Sequence, residues 1–250
     1  MAITIKSERE IELMAEAGKI LERVHNELEK ALHPGMSTKD IDTLGEKIIR
    51  SYGCIPSFLN YNGYPASICV SVNQEVVHGI PDKHRIIHEG DIVSLDAGVI
   101  YKGYHSDAAR THAVGEVSEE AKKLIQVTKE CFFEGIKYAK AGNHLFDISG
   151  AIGRYAEERG YGVVRDLCGH GIGTALHEAP EIPNYEVGRK GVKLRPGMTL
   201  AIEPMINIGT YEVDWLDDDW TVVTRDGSLS AHYENTILIT DGEPEILTMY

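Results

Sequence analysis

Residues 8 to 31 carry apolar side chains at Ile11, Met14, Leu21, Val24 and Leu28, close to helical spacing, and Pro34-Gly35 stops the run. Ser37 with Asp40 predicts the cap of a second helix, whose apolar face is Ile41, Leu44, Ile48 and Ile49. Pro56, Gly63 and Pro65 break the next stretch into loop. Ser67 to Val77 then looks strand-like, with Ile68, Val70 and Val72 alternating against small or polar residues. After Gly90 the pattern predicts a β-hairpin: Ile92 to Ile100, a turn near Tyr101-Lys102-Gly103, and a return strand from Tyr104 to Val114. Residues 118 to 141 and 144 to 159 read as two further helices, and the rest as short strands divided by Gly and Pro. No Pro/Ser-rich linker intervenes, so residues 1–250 are expected to form one α+β domain.

An internal repeat organises the chain. A shift of 107 positions places Gly35 on Gly142, Asp40-Ile41 on Asp147-Ile148, and Gly90-Asp91-Ile92-Val93-Ser94-Leu95-Asp96 on Gly197-Met198-Thr199-Leu200-Ala201-Ile202-Glu203. A carboxylate closes both of those last segments. The triplet His78-Gly79-Ile80 also recurs, as His170-Gly171-Ile172, at a shift of 92. The expectation is two related halves, roughly 8–115 and 116–250, facing each other across a pseudo-two-fold axis. A site on that axis would receive matching side chains from both.

The carboxylates at such positions carry the chemistry. Asp96 lies inside the apolar strand Ile92 to Val99, where an acid is costly unless paired or metal-bound. Asp107 sits on the return strand. A register in which facing residue numbers sum to 203 sets the two opposite each other, and a sum of 205 makes them diagonal neighbours. Either way they share one face. Two anions that close call for a cation, although Asp107 could equally belong to the loop with His105 and Ser106. Glu203, after Leu200-Ala201-Ile202, and Glu234, entering Asn235 to Ile239, give the second half its own pair of strand-borne acids. His170, within Cys168-Gly169-His170-Gly171-Ile172-Gly173, adds a nitrogen donor. Four carboxylates and one imidazole suit two bridged divalent ions, a kind of centre that generates a hydroxide nucleophile near neutral pH. Mostly oxygen ligands favour manganese, iron or cobalt over thiolate-type zinc.

Of the other histidines, His78 and His177 follow a strand or glycine turn near the proposed centre, and His105 and His232 stand beside proposed ligands. His25, His33, His84, His88, His112 and His144 read as solvated or packed. With 39 acidic and 25 basic residues the formal net charge is −14, which opposes binding to phosphate backbones. The N-terminus turns charged at Lys6-Ser7-Glu8 and lacks a signal peptide's apolar core, and no apolar run nears the roughly 18 residues of a membrane helix. Cys54, Cys69, Cys131 and Cys168 include no CxxC pair and are expected as free thiols in a cytoplasmic chain.

These residues together resemble the type I bacterial methionine aminopeptidases of the pita-bread metallopeptidase superfamily, over essentially the whole chain. The resemblance rests on Gly63-Tyr64-Pro65, His78-Gly79-Ile80-Pro81, Gly90-Asp91-Ile92-Val93, Cys168-Gly169-His170-Gly171-Ile172-Gly173, Pro196-Gly197-Met198-Thr199, Ile202-Glu203-Pro204-Met205 and Ser228-Leu229-Ser230-Ala231. It implies the pita-bread fold and two divalent ions (cobalt, manganese, iron or zinc) on Asp96, Asp107, His170, Glu203 and Glu234, with Asp107 and Glu234 shared. It implies removal of the initiator methionine from nascent polypeptides when the second residue is small. Glu203 would move the proton, and His78 and His177 would contact substrate. The methionine pocket would be lined by Phe58, Tyr61, Tyr64, Cys69 and Trp220. The expected partner is the nascent N-terminus, met at the ribosome by a monomer, with no membrane or nucleic acid involved.

Phe58 stands where many bacterial members carry cysteine, and Leu176 where many carry phenylalanine; both keep the pocket apolar. Asp214-Trp215-Leu216-Asp217-Asp218-Asp219 is more acidic than the resemblance leads one to expect, and reads as a solvated loop. Two rivals share the scaffold: a proline-specific aminopeptidase or dipeptidase, and a metal-free binding module, which would be expected to lack ligands that are all present here.

Overall fold

In the computed structural model, which describes residues 2–249, each helix begins at a cap that its sequence provides. Helix α1 (Glu8–Ala31) opens on Ser7, whose backbone amide donates to the Glu10 carboxylate at 2.7 Å. It buries Met14, Ala17, Leu21, Val24 and Leu28. Helix α2 (Thr38–Ser51) opens on Ser37, whose amide donates to Asp40 Oδ2 at 2.8 Å. In the second half α3 spans Glu119–Ile136 and α4 spans Leu145–Glu157. The His144 amide donates to Asp147 Oδ2, again at 2.8 Å. Ser37 also bridges Ile86 and His144 bridges Lys193, two contacts whose members stand 107 positions apart.

Strands β1 (Ile55–Pro56), β2 (Ile68–Val72), β3 (Glu75–Val77), β4 (Ile92–Tyr101) and β5 (Tyr104–Ala113) precede α3. After α4 come β6 (Gly162–Val163), β7 (Gly169–Gly171), β8 (Glu178–Ile182), β9 (Thr199–Ile202) and β10 (Met205–Asn207). The chain then adds β11 (Val213–Trp215), β12 (Val222–Thr224), β13 (Ser230–His232), β14 (Glu234–Leu238) and β15 (Glu245–Ile246). An antiparallel sheet runs β1-β4-β5-β14-β9-β7-β8, with β2 also on β4 and β15 on β14. Two small sheets, β13-β10-β6 and β11-β12-β3, complete the α+β architecture.

Strand alternation decides what the main sheet presents on each side. On β4, Val93, Leu95, Ala97 and Val99 pack into one core with Leu21, Val24 and Leu28 of α1 and Ile41, Ile48 and Ile49 of α2. In the second half Leu200, Ile202 and Ile237 pack with Leu124, Phe132, Ile148 and Ile152 of α3 and α4. Asp96, Asp107 and Glu234 lie on the alternate positions, the side turned away from the helices.

Three readings are corrected. The stretch Ser67 to Val77 forms two strands, because Asn73 takes φ 59° between them and its side chain bonds Asp91 and the Ile92 amide. The third helix stops at Ile136, where the Tyr138 and Ala139 amides turn back to Gly135 and Ile136 and bury Ala139. The recurring His-Gly-Ile triplets do not correspond by strand pairing. Ser71 faces Ser94 and His170 faces Ala201, 107 positions later, so His170 corresponds to Ser71 and not to His78. The four cysteines are free thiols. Among the described residues no helix is long and apolar enough to cross a membrane.

Candidate metal centre and adjoining pocket

The hairpin adopts the register whose sum is 205: Asp96 faces Ala109 and Gly98 faces Asp107. Its two-residue turn, Lys102-Gly103, has positive φ at both positions, the geometry that matches strand twist. The two acids are therefore diagonal neighbours on one face. Glu234 opens β14 opposite Ala109, Glu203 directly follows β9, and His170 sits in β7 opposite Ala201. Five adjacent strands thus deliver all five residues to one place. At Gly171 a Cβ would lie 2.2 Å from the Ala179 carbonyl, so only glycine lets the strand bearing His170 pack this closely.

Ligand atoms of Asp107, His170 and Glu234 all lie within 4.8 Å of one another. His170 Nδ1 donates to the Gly171 carbonyl at 2.9 Å, which leaves Nε2 bare. That nitrogen faces Glu203 Oε1 at 3.7 Å and Asp107 Oδ2 at 3.9 Å. Burial and the neighbouring His177 push His170 down to about 3, so the ring is neutral and its lone pair points at carboxylate oxygens. Lone pairs facing one another at that range repel, unless a cation sits between them.

The acids carry the same signature. Asp96 Oδ1, Asp107 Oδ1 and Glu234 Oε1 are buried with no hydrogen-bond partner. Burial raises Asp96 to about 7, with the charge of Glu203 adding and that of His232 opposing. Burial raises Glu203 to about 8. Asp107 and Glu234 are also pushed well above the carboxylate range, by burial first and then by the neighbouring acids. Orphaned buried oxygens around a bare imidazole nitrogen fit a divalent cation.

The supports of this cluster were mostly not legible in sequence. Arg110 donates to the carbonyls of Ala109 and Glu234, to Asn235 Oδ1 at 2.6 Å and to the Thr248 carbonyl at 3.3 Å, and stacks 4.5 Å from the Tyr233 ring centre. The Thr236 hydroxyl accepts from the Asp107 amide at 3.0 Å and donates to its carbonyl at 2.9 Å. His232, flagged by its position, is buried with Nε2 3.7 Å from Glu203 Oε2. His105 instead meets Ser57 Oγ at 3.0 Å. His25 packs against the Ala108 carbonyl at 2.8 Å, and His84 and His88 are exposed.

A cavity of about 130 Å³ opens on the acid face. Phe58, Tyr61, Tyr64, Cys69, His78, His177 and Trp220, all singled out in the sequence, line it, and so does Leu176. Asn62, which the sequence reading passed over, lines it too; its signal is the Asn60-Tyr61-Asn62-Gly63 turn, with φ 49° at Asn62. Cys69 faces Asp96 across β2 and β4, so the apolar pocket adjoins the acids directly. The Tyr64 hydroxyl donates to the Gly79 carbonyl at 2.9 Å, and its ring stands edge-on to Trp220 at 5.1 Å. His78 holds a left-handed backbone, φ 60°, and burial drives it down to about 4. The Tyr61 hydroxyl meets His177 Nδ1, and the His177 ring lies 4.1 Å from that of His170. In the acidic stretch Asp214 pairs with Arg225, while Asp218 accepts from the Trp220 amide at 2.9 Å and so anchors the pocket tryptophan.

Comparison with known proteins agrees with this geometry. Residues 12–241 match the model of metallopeptidase family M24. The chain is 60% identical to the methionine aminopeptidase of Clostridium acetobutylicum, over 99% of each chain. It is 50% identical to methionine aminopeptidase 1 of Bacillus subtilis, over 98% of this chain and 99% of the relative. The crystal structure of methionine aminopeptidase from Thermotoga maritima superposes with a TM-score of 0.97 at 47% identity, covering both chains fully. The fold is the pita-bread fold, and the chain belongs to metallopeptidase family M24, on its methionine aminopeptidase branch.

Proposed function

We propose that this chain removes the initiator methionine from nascent proteins and peptides when the second residue is small. The observation that carries this reading is an apolar, aromatic pocket that abuts buried acids fitted to a cation. A thioether suits such a lining.

In this reading Asp96, Asp107, His170, Glu203 and Glu234 would hold two divalent ions (cobalt, manganese, iron or zinc). Bound there, the ions would lower the pKa of water and polarise the scissile carbonyl. Glu203 takes a proton from the attacking water and returns it to the leaving amine, the work of a general base that becomes a general acid. With the Tyr61 hydroxyl donating to His177 Nδ1, the ring proton stays on Nε2, which would donate to the carbonyl oxygen as charge develops. His78 contacts the amide beyond it. Tyr64, Cys69, Phe58 and Trp220 exclude water around the methionine side chain.

Residues 1–250 act as one catalytic domain built of two related halves, 8–115 and 116–250, with the acids between them. The enzyme works as a monomer in the cytoplasm on N-termini emerging at the ribosome. It binds no nucleic acid directly, which a net charge of −14 supports.

Hydrolysis of Met-Ala-Ser and of an Ala-Pro peptide by chelated and by reloaded protein, with metal content measured, tests the proposal. Methionine release by reloaded protein alone, with two ions per chain, is the expected result. Cleavage of the proline peptide without methionine release would overturn it in favour of a proline-specific enzyme.

A further inference from the structure

Lys6 is an almost fully buried ammonium group, 7% exposed, on the segment leading into α1. Its Nζ donates to Glu178 Oε2 at 2.7 Å and to the Thr4 hydroxyl, and that hydroxyl donates to the same carboxylate oxygen at 2.6 Å. The other oxygen, Glu178 Oε1, accepts from the Ala175 amide at 3.3 Å. The Glu178 side chain therefore folds back across residues 175–178 and closes a short loop. That loop carries Leu176 and His177, both on the pocket. Gly173 opens it, and a Cβ there would lie 2.5 Å from both Lys6 Cε and Glu178 Oε1, so the ion pair fills the space of a missing side chain. The backbone holds the Lys6 segment, a strap across this loop, as well: the Lys6 amide donates to the Gly197 carbonyl at 2.8 Å, just ahead of β9, which Glu203 follows.

A buried ammonium is stable only with such partners, and here the partner is the residue after His177. We propose that Lys6, acting through Glu178, is a positioning residue that holds His177 over the acid cluster, an inference that rests on the methionine aminopeptidase reading of the pocket. Lys6 touches no substrate. Without it the carboxylate loses its anchor, the 175–178 turn loosens, and the His177 ring shifts from its contacts with Tyr61 and His170. A displacement near 1 Å in a group aimed at the reacting carbonyl lowers turnover by about a hundredfold at most.

The experiment compares Lys6→Met, Lys6→Arg and Glu178→Gln in metal-loaded enzyme, with Met-Ala-Ser as substrate. For Lys6→Met we expect kcat to fall about tenfold to a hundredfold, KM to stay within about twofold, and metal content to be unchanged. Lys6→Arg restores most of the turnover. In a His177→Ala background Lys6→Met costs less than about twofold, since the residue it acts through is gone. Hydrogen exchange at the Ala175 amide quickens in Lys6→Met and Glu178→Gln, a readout independent of substrate. If Lys6→Met fails to fold, Glu178→Gln, which keeps its side-chain shape, decides by the same measures. A loss equally large without His177, or a fall in metal content that accounts for it, would overturn the positioning role. Failure of the wild-type enzyme to release methionine would overturn the substrate reading alone. In that case unchanged exchange at Ala175 would still reject the strap.

Discussion

The Tyr61 hydroxyl lies 2.8 Å from His177 Nδ1, joining a side chain of the apolar pocket to one that reaches the acid face. A phenol donating to Nδ1 leaves the proton on Nε2, the tautomer able to donate toward substrate. Tyr61→Phe keeps the ring and removes the donor. We expect it to lower kcat about tenfold with KM and metal content nearly unchanged; steady-state kinetics beside metal analysis checks this, and an unchanged kcat would refute it.

His177→Ala separates substrate from metal roles. It should keep its metal and lose most of its turnover, whereas His170→Ala should lose metal. Equal metal loss in the two variants would place His177 among the ligands.

Asp96→Ala and Asp107→Ala should each bring activity below about a hundredth of wild type while leaving the chain folded. Each removes one of several buried, mutually repelling acids, so circular dichroism and Tm should show a native protein. Full activity in either variant at matched metal content would sink the five-ligand assignment.

Protein freed of metal should lose stability as pH rises. Asp96 stands at about 7 and Glu203 at about 8, both raised chiefly by burial. A carboxylate with a raised folded value holds more protons folded than unfolded. Its contribution is complete below the unfolded value near 4 and is lost as pH climbs through 7 to 8. Calorimetry in chelator should therefore show Tm falling by several degrees between pH 5 and 8.5 relative to metal-loaded protein. A constant gap between the two forms would contradict the raised values.

Selectivity should follow the pocket. Met-Ala, Met-Gly and Met-Ser peptides should be cleaved, and Met-Lys, Met-Phe and Met-Leu should be nearly inert, because bulk at the second residue clashes near His78 and His177. Norleucine should replace methionine, whereas lysine would bring an unpaired charge beside Tyr64 and Trp220, at a cost of several kcal/mol. Comparable rates for Met-Ala and Met-Leu would mean that another surface selects substrate.

Much of this was visible in the sequence because period-2 alternation is a local signal. An acid at position 96 among Val93, Leu95, Ala97 and Val99 already says which face it shares with Asp107. The spacing left two registers open; only the folded turn at Lys102-Gly103 chose between them. The His-Gly-Ile triplet misled because three identical residues carry no pairing information, whereas the partners of Ser71 and His170 do. Arg110 reaches Glu234 and Lys6 reaches Glu178, each across more than a hundred positions, and no periodicity encodes a contact of that kind. Asn62 was within reach, as the middle of an Asn-rich turn.

Strand β5 takes its second neighbour from β14, so that Ala109 meets Glu234 across more than a hundred residues of chain. This fixes an order of events during synthesis. When the first half has emerged, Asp96 and Asp107 face water and β5 is a bare edge, the arrangement most open to pairing with another chain. The later strands cover that edge and dehydrate the acids in one step. Until β14 is added, that edge stays open and the acids stay hydrated, so the closed sheet and the dehydrated site form together.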